Sequence, residues 1–179
     1  MPATIQIRRL TGVNASITST DITSACTRAS TSDAAAPGAS NPIPIPTSGS
    51  NHSYWVTTQL NATVAPDNSI TNIKWYSDGS NTFGTGVTAI VATASAYASA
   101  TGTAGSSGSV LNTTNHASLV GAPSDMFTYT SGCLLSVAGS IGNTTGSFGN
   151  RVIWQLSVIS TASPGNTGEE TLTFQFDES

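Results

Sequence analysis

The residues able to do chemistry are few. A nucleophilic triad needs a base, and His52 and His116 are the only histidines of the chain. His52 precedes Ser53 and His116 lies in "NTTNHASL", and neither stands in a nucleophile elbow or another local catalytic frame. Glycosidic hydrolysis needs two carboxyl groups facing each other across a cleft. Asp78 and Asp125 are single acids in loop-like sequence. Glu169, Glu170, Asp177 and Glu178 gather at the ends of the last apolar run, where charge solvates a strand and discourages unwanted pairing. This inventory points away from an enzyme.

Ligand chemistry has more candidates. "PDNS" and "SDGSN" supply oxygen donors in loops, the ligand type that calcium prefers, although turn formation explains the same residues and neither has EF-hand spacing. Cys26 and Cys133 are too far apart for a metal knuckle; two small buried thiols, or one bridge tying the N-terminal region to the body, are the readings open to them. "GTAGSSG" lacks the lysine and the strand-to-helix setting of a phosphate-binding loop. No cofactor is expected. Trp55, Tyr76 and Phe83 are the aromatic residues that could stack on a sugar ring, or equally pack under a second sheet or at a subunit boundary. Asn-X-Ser/Thr triplets at Asn14, Asn51, Asn61, Asn112 and Asn143 carry little information, because so hydroxyl-rich a chain gives roughly four by chance.

Charged residues make up 8% of the 179, against roughly a quarter in ordinary soluble proteins, so hydroxyls and amides must solvate the surface. The chain is 37% hydrophobic, which is enough to build a core. With a net charge of −4 and only Arg8, Arg9, Arg28, Lys74 and Arg151 as fixed cations, no basic stripe is available for a phosphate backbone, and nucleic acid is not an expected partner. "MPATIQIRRL" lacks the apolar run of a secretory leader, and no stretch approaches the length of a membrane span, so neither export by such a leader nor a membrane partner is expected.

The elements that must position these residues read as strands. "ATIQIRRL" alternates around Ile5 and Ile7, and after a Gly-Val-Asn turn "ASITST" is a second short strand. "SYWVTTQLNATV" places Tyr54, Val56, Thr58, Leu60 and Ala62 on one face and Trp55, Thr57, Gln59 and Asn61 on the other. "APDNS" then predicts a ribbon turn into "ITNIKWY", where Ile73 and Trp75 share a face. "VTAIVATAS" aligns Val87, Ala89 and Val91, and a short helix is the reading considered for the small-residue run from Ala94 to Ala100. "MFTYT", "LLSVAGSI" and "RVIWQLSVIST" follow, the last with Val152, Trp154, Leu156 and Val158 as a regular inward series. "TLTFQF" closes the chain, with Leu172, Phe174 and Phe176 expected to seal the core. Roughly seven to nine short strands between turn-rich loops predict an all-β chain, a β-sandwich of immunoglobulin-like or jelly-roll type.

Residues 1–50 are read as N-terminal strands plus an extended Pro/Ser/Thr-rich arm, and residues 51–179 as the sandwich. Pro42, Pro44 and Pro46 push Asn41, Ile43 and Ile45 toward extended geometry and remove N–H groups from one side, so that this piece can pair along one edge only. It either lies across a neighbouring subunit or straps its own core. Ile43, Ile45, Trp55, Tyr76 and Phe83 form the candidate interaction surface.

The endings "RVIWQLSVIST", "ASPGNTG" and "ETLTFQF" resemble the close of immunoglobulin-like sandwiches, over about the last thirty residues. With "NPIPIPTSGSNHSYW" and "IKWYSDGSNTFGTG", the hydroxyl-rich all-β chain as a whole resembles structural proteins displayed on tailed-bacteriophage particles. That resemblance implies a non-enzymatic virion protein, a capsid decoration or cement subunit on the particle surface. Its implied partners are copies of itself, in a closed ring such as a trimer, and other virion proteins such as a major capsid protein. The alternative is a carbohydrate-binding or adhesive module of a tail fibre or cell surface, or another phage tail component.

Overall fold

A computed structural model describes residues 2–179. The alternating runs become β1 (Thr4–Val13), β2 (Ser16–Asp21), β4 (Val56–Val64), β5 (Ser69–Ser77) and β6 (Val87–Ala94), and an unexpected three-residue β3 (Ser50–His52) precedes β4. The short strands β7 (Gly102–Thr103), β8 (Ser107–Gly108), β9 (Ser124–Asp125), β10 (Leu135–Ser136) and β11 (Ile141–Gly142) follow. The long β12 (Gly146–Ile159) and the closing β13 (Leu172–Glu178) complete the set. The one helical element among the described residues is a 3-10 turn at Met126–Thr128, so the chain is all-β and the run from Ala94 to Ala100 forms no helix.

The strands fall into two main sheets. The larger runs β2-β1-β4-β12-β6-β9, with β3 beside the far end of β12, and the smaller places β5 between β13 and the short β10 and β11. The two sheets pack face to face, and neither closes on itself. Period-two patterning decides which side chains meet. Val56, Leu60, Val152, Trp154 and Leu156 of the larger sheet bury against Ile70, Ile73 and Trp75 of β5. The alternate residues Trp55 and Ile153 face the other way, where Leu111 covers them with Ala94. The larger sheet is therefore buried on both faces along its middle strands.

One expected ribbon is absent. β4 and β5 belong to different sheets, so "APDNS" carries the chain across the core instead of folding a hairpin. The physical reason lies in the partners: β4 pairs with β1 on one side and β12 on the other, which leaves no free edge for β5. The β1–β2 hairpin is present, with Val13 opposite Ser16 across a two-residue turn. β13 joins β5 at an edge with a register shift between Gln175 and Asp177, and Leu172, Phe174 and Phe176 are half-buried and not sealed. Phe174→Ala should therefore cost roughly half of the 3–5 kcal/mol of a fully buried phenylalanine, read as a melting shift.

The proline-punctuated segment straps its own body. Ile22 N–H continues the ladder to the Ile7 carbonyl, Tyr54 N–H reaches the Ser30 carbonyl, and Asn51 Nδ2 donates to the Pro44 carbonyl. Beneath it sits Arg9, 1% exposed, whose Nη1 donates to the carbonyls of Arg28 at 2.9 Å and Ala35 at 3.4 Å and to the Thr27 hydroxyl. Burial pushes the Arg9 guanidinium down to about 10, with Asp33 opposing that shift. The expected outcome for Arg9→Ala is a loosened strap, because the carbonyls it serves lose their donor at about 1–3 kcal/mol. Limited proteolysis should then cut faster between residues 25 and 48 while the sheets stay protected.

Candidate functional site: a strapped cavity and an open hairpin edge

Strand β1 and the arm place a cavity of about 1000 Å³ between the two sheets. Its walls are the apolar residues Trp75, Trp154, Leu156, Phe174, Ile43 and Phe83. Two straps roof it, residues 22–45 and residues 162–171, and Arg28 clasps them together by donating to the Gly38 carbonyl at 2.9 Å and to Asn166 Oδ1 at 2.8 Å. Glu170 anchors the second strap, where its carboxylate accepts from the Thr82 hydroxyl at 2.8 Å and from the Thr82 N–H. Of the acid cluster near the last strand, Glu170 is thus employed in holding a loop, while Asp177 accepts from Asn72 Nδ2 on the neighbouring β5.

The candidate interaction residues do not share one surface. Ile43 and Ile45 line the cavity from the strap, with Ile45 37% exposed. Phe83 is half-buried in an edge-to-face contact with Phe127, centroids 6.0 Å apart. Trp55 is 2% exposed, and its indole N–H donates to the Ala98 carbonyl at 3.1 Å, so its ring is not free to stack; what covers it is the loop carrying Leu111 and not the second sheet. Tyr76 alternates with buried Trp75 and so faces away from the core on β5, while Trp55, just before β4, faces away from it on the larger sheet. The two rings look out from opposite sides of the body, and no stacking platform combines them.

The groups able to do chemistry are dispersed. His116 is fully buried, its ring 5.6 Å from that of Trp55, and neither ring nitrogen has a hydrogen-bond partner. Desolvation pushes its basicity down. His52 is half-buried, 3.3 Å from the Ser50 hydroxyl, and is also pushed down by burial. Asp21, Asp78 and Asp125 each accept a main-chain N–H two residues ahead, from Thr23, Ser80 and Phe127. Among the described residues no group of three or more His, Cys, Asp or Glu side chains could hold a metal ion. Cys26 and Cys133 are free and exposed, which overturns the expectation of two buried thiols and of a bridge. The small-residue neighbourhoods that suggested burial are loops: Cys26 stands at the root of the first strap, and Cys133 in a tight turn whose N–H and carbonyl pair with Thr130.

Buried His116, with half-buried His52, sets a pH dependence. A histidine whose folded basicity is lowered binds more protons unfolded than folded, so stability is complete above the ordinary value near 6.5 and is lost as pH falls below it. The melting temperature should drop between pH 7 and pH 5, and His116→Leu should flatten that slope. A slope unchanged in the variant would assign the effect to other groups.

No family model, curated protein or solved structure matches the chain. What distinguishes its surface is the β1–β2 hairpin. All of β2 except Thr20 is exposed, and two large apolar side chains flank the turn, Val13 at 64% and Ile17 at 46% exposure. The pattern hinted at this strand without revealing that it ends the larger sheet. Gly12 makes the hairpin tight at φ +98°, where a Cβ would sit 2.6 Å from the Ser16 carbonyl oxygen. Its N–H donates to Asp33 at 2.7 Å and its carbonyl accepts from the Tyr97 hydroxyl at 2.7 Å, so the hairpin is held firmly at its outer end.

Proposed function

We propose that the chain is a non-enzymatic structural subunit of a virus particle, a capsid decoration or cement protein built as an immunoglobulin-like two-sheet sandwich. The observation that carries this reading is the braced hairpin: a rigid edge strand, uncharged over its first five residues and with apolar residues at its tip, is a means of joining proteins, with main-chain groups supplying affinity. The resemblance of the sequence to displayed phage proteins adds the particle. A hydroxyl-rich surface of low charge suits dense packing beside other subunits, where like charges would repel.

The test is location. Purified particles, labelled with antibody against the chain and imaged by electron microscopy, should carry it in regular array on their outer surface, and the purified chain should cosediment with shells at a fixed ratio. Particles without label, and shells that leave the chain in the supernatant, would remove the reading.

A further inference from the structure

We infer that β2 pairs with β2 of a second copy, antiparallel about a two-fold axis, extending the larger sheet across the interface. The inference rests on the reading of the chain as an assembly subunit and names the partner of that hairpin. The first argument is contrast among edges. β13, the edge of the smaller sheet, is interrupted by a register shift and carries Asp177 and Glu178, and β9, at the far edge of the larger sheet, has only two residues. Such charges, irregularities and short lengths are how sheets discourage edge pairing. β2 has none of them over its first five residues, "SITST".

The second argument is hydrogen bonding. A two-residue turn makes Val13 and Ser16 a hydrogen-bonded pair, so Ser16, Thr18 and Thr20 turn their main-chain groups to β1. The bond from Ile22 N–H to the Ile7 carbonyl keeps the same phase. Ile17 and Ser19 therefore direct N–H and C=O outward, and no other part of the described chain bonds them. Two copies related by a two-fold axis at Thr18 would set Ile17 opposite Ser19 of the partner subunit, and the converse, completing both pairs.

Charge and apolar contact select this register and a second copy as occupant. Asp21 is the only charge of β2, and antiparallel pairing about Thr18 carries the two carboxylates to opposite ends, beyond the partner strand and in water. Parallel pairing would stack them, and an axis at Ser19 would press each against an isoleucine. Because an axis normal to the sheet preserves its faces, the two Ile17 side chains become diagonal neighbours about 7–8 Å apart at their Cα atoms, within mutual reach. The exposed apolar residue at the seam thereby finds cover.

Sedimentation velocity of the full chain tests the pairing. The wild type should show a concentration-dependent dimer, and Ser19→Pro, which removes an outward N–H and no bond to β1, should weaken it roughly tenfold or more. Ser19→Lys should do the same with an unchanged melting temperature, which covers the case in which the proline variant folds poorly. Thr18→Cys, with Cys26 and Cys133 replaced by serine, should oxidise to a covalent dimer, because directly opposed residues lie within disulfide reach. A wild type that stays monomeric at high concentration, or a dimer that Ser19→Lys leaves intact, would overturn the pairing. A β2-dependent dimer absent from particles would leave the pairing standing and remove the virion reading instead.

Discussion

Gln155→Ala should destabilise the protein by about 3 kcal/mol or more, because one side chain serves three main-chain groups, two of them fully buried. Gln155 is 1% exposed on β12; its Oε1 accepts from Leu111 N–H at 2.7 Å, and its Nε2 donates to the carbonyls of Ser53 at 2.7 Å and Ser109 at 2.8 Å. It pins the loop covering the outer face of the larger sheet, where Gly108 passes so close to Ser53 that a Cβ would overlap its carbonyl. Gln155→Leu is the informative companion. It fills the volume yet leaves the same groups unpaired, so chemical denaturation should show a loss comparable to that of alanine. Retention of wild-type stability by the leucine variant would mean that packing alone holds this loop.

Trp75→Ala should be as damaging for a different reason. Trp75 is 1% exposed at the centre of the smaller sheet, with Leu135 beside it on β10 and Phe174 on β13, and it faces the larger sheet. Removing a buried tryptophan costs about 3–5 kcal/mol, which corresponds to a melting shift of about 6–20 °C in a chain of this size. The hole would merge with the adjoining cavity, which Trp75 already lines, so little collapse is available to reduce the loss. Tyr76→Ala, one residue along on the opposite face, is the control and should shift the melting far less. Equal effects from the two would show that the smaller sheet does not present Trp75 to the core.

Period-two patterning in the sequence was enough to foretell the long strands and most of their inward faces, whereas "MFTYT", also read as a strand, holds the 3-10 turn Met126–Thr128. Val152, Trp154, Leu156 and Val158 alternate because β12 lies at the middle of the larger sheet, and Val56, Leu60 and Ala62 do so on its neighbour β4. Alternation says nothing about which strands pair, so the ribbon expected between β4 and β5 became a crossing between sheets. It also fails where both faces of a strand are buried. Trp55 belongs to the face that should meet solvent, and a distant loop containing Leu111 and His116 covers it. No local signal marks such cover. The strap was legible as extended chain from its prolines, but the destination of its contacts rests on Arg9, whose burial beneath the loop a single arginine in an alternating strand does not announce. The hairpin edge followed from the sequence only as a strand; its position at the end of a sheet needed the whole topology.

The separation in sequence between paired strands bears on how the chain is made. β4 lies between β1, already synthesised, and β12, whose Val152 carbonyl accepts from Thr58 across a separation of 94 residues. At ribosomal speeds of about 5–20 residues per second, one side of β4 waits roughly 5–20 s for its partner. During that interval the nascent ribbon offers an unpaired apolar strand to every other chain nearby. Threonines at positions 57 and 58, and the glutamine and asparagine that follow at 59 and 61, dilute its greasiness through that delay, so the hydroxyl-rich composition protects the protein before it has a shape as well as after.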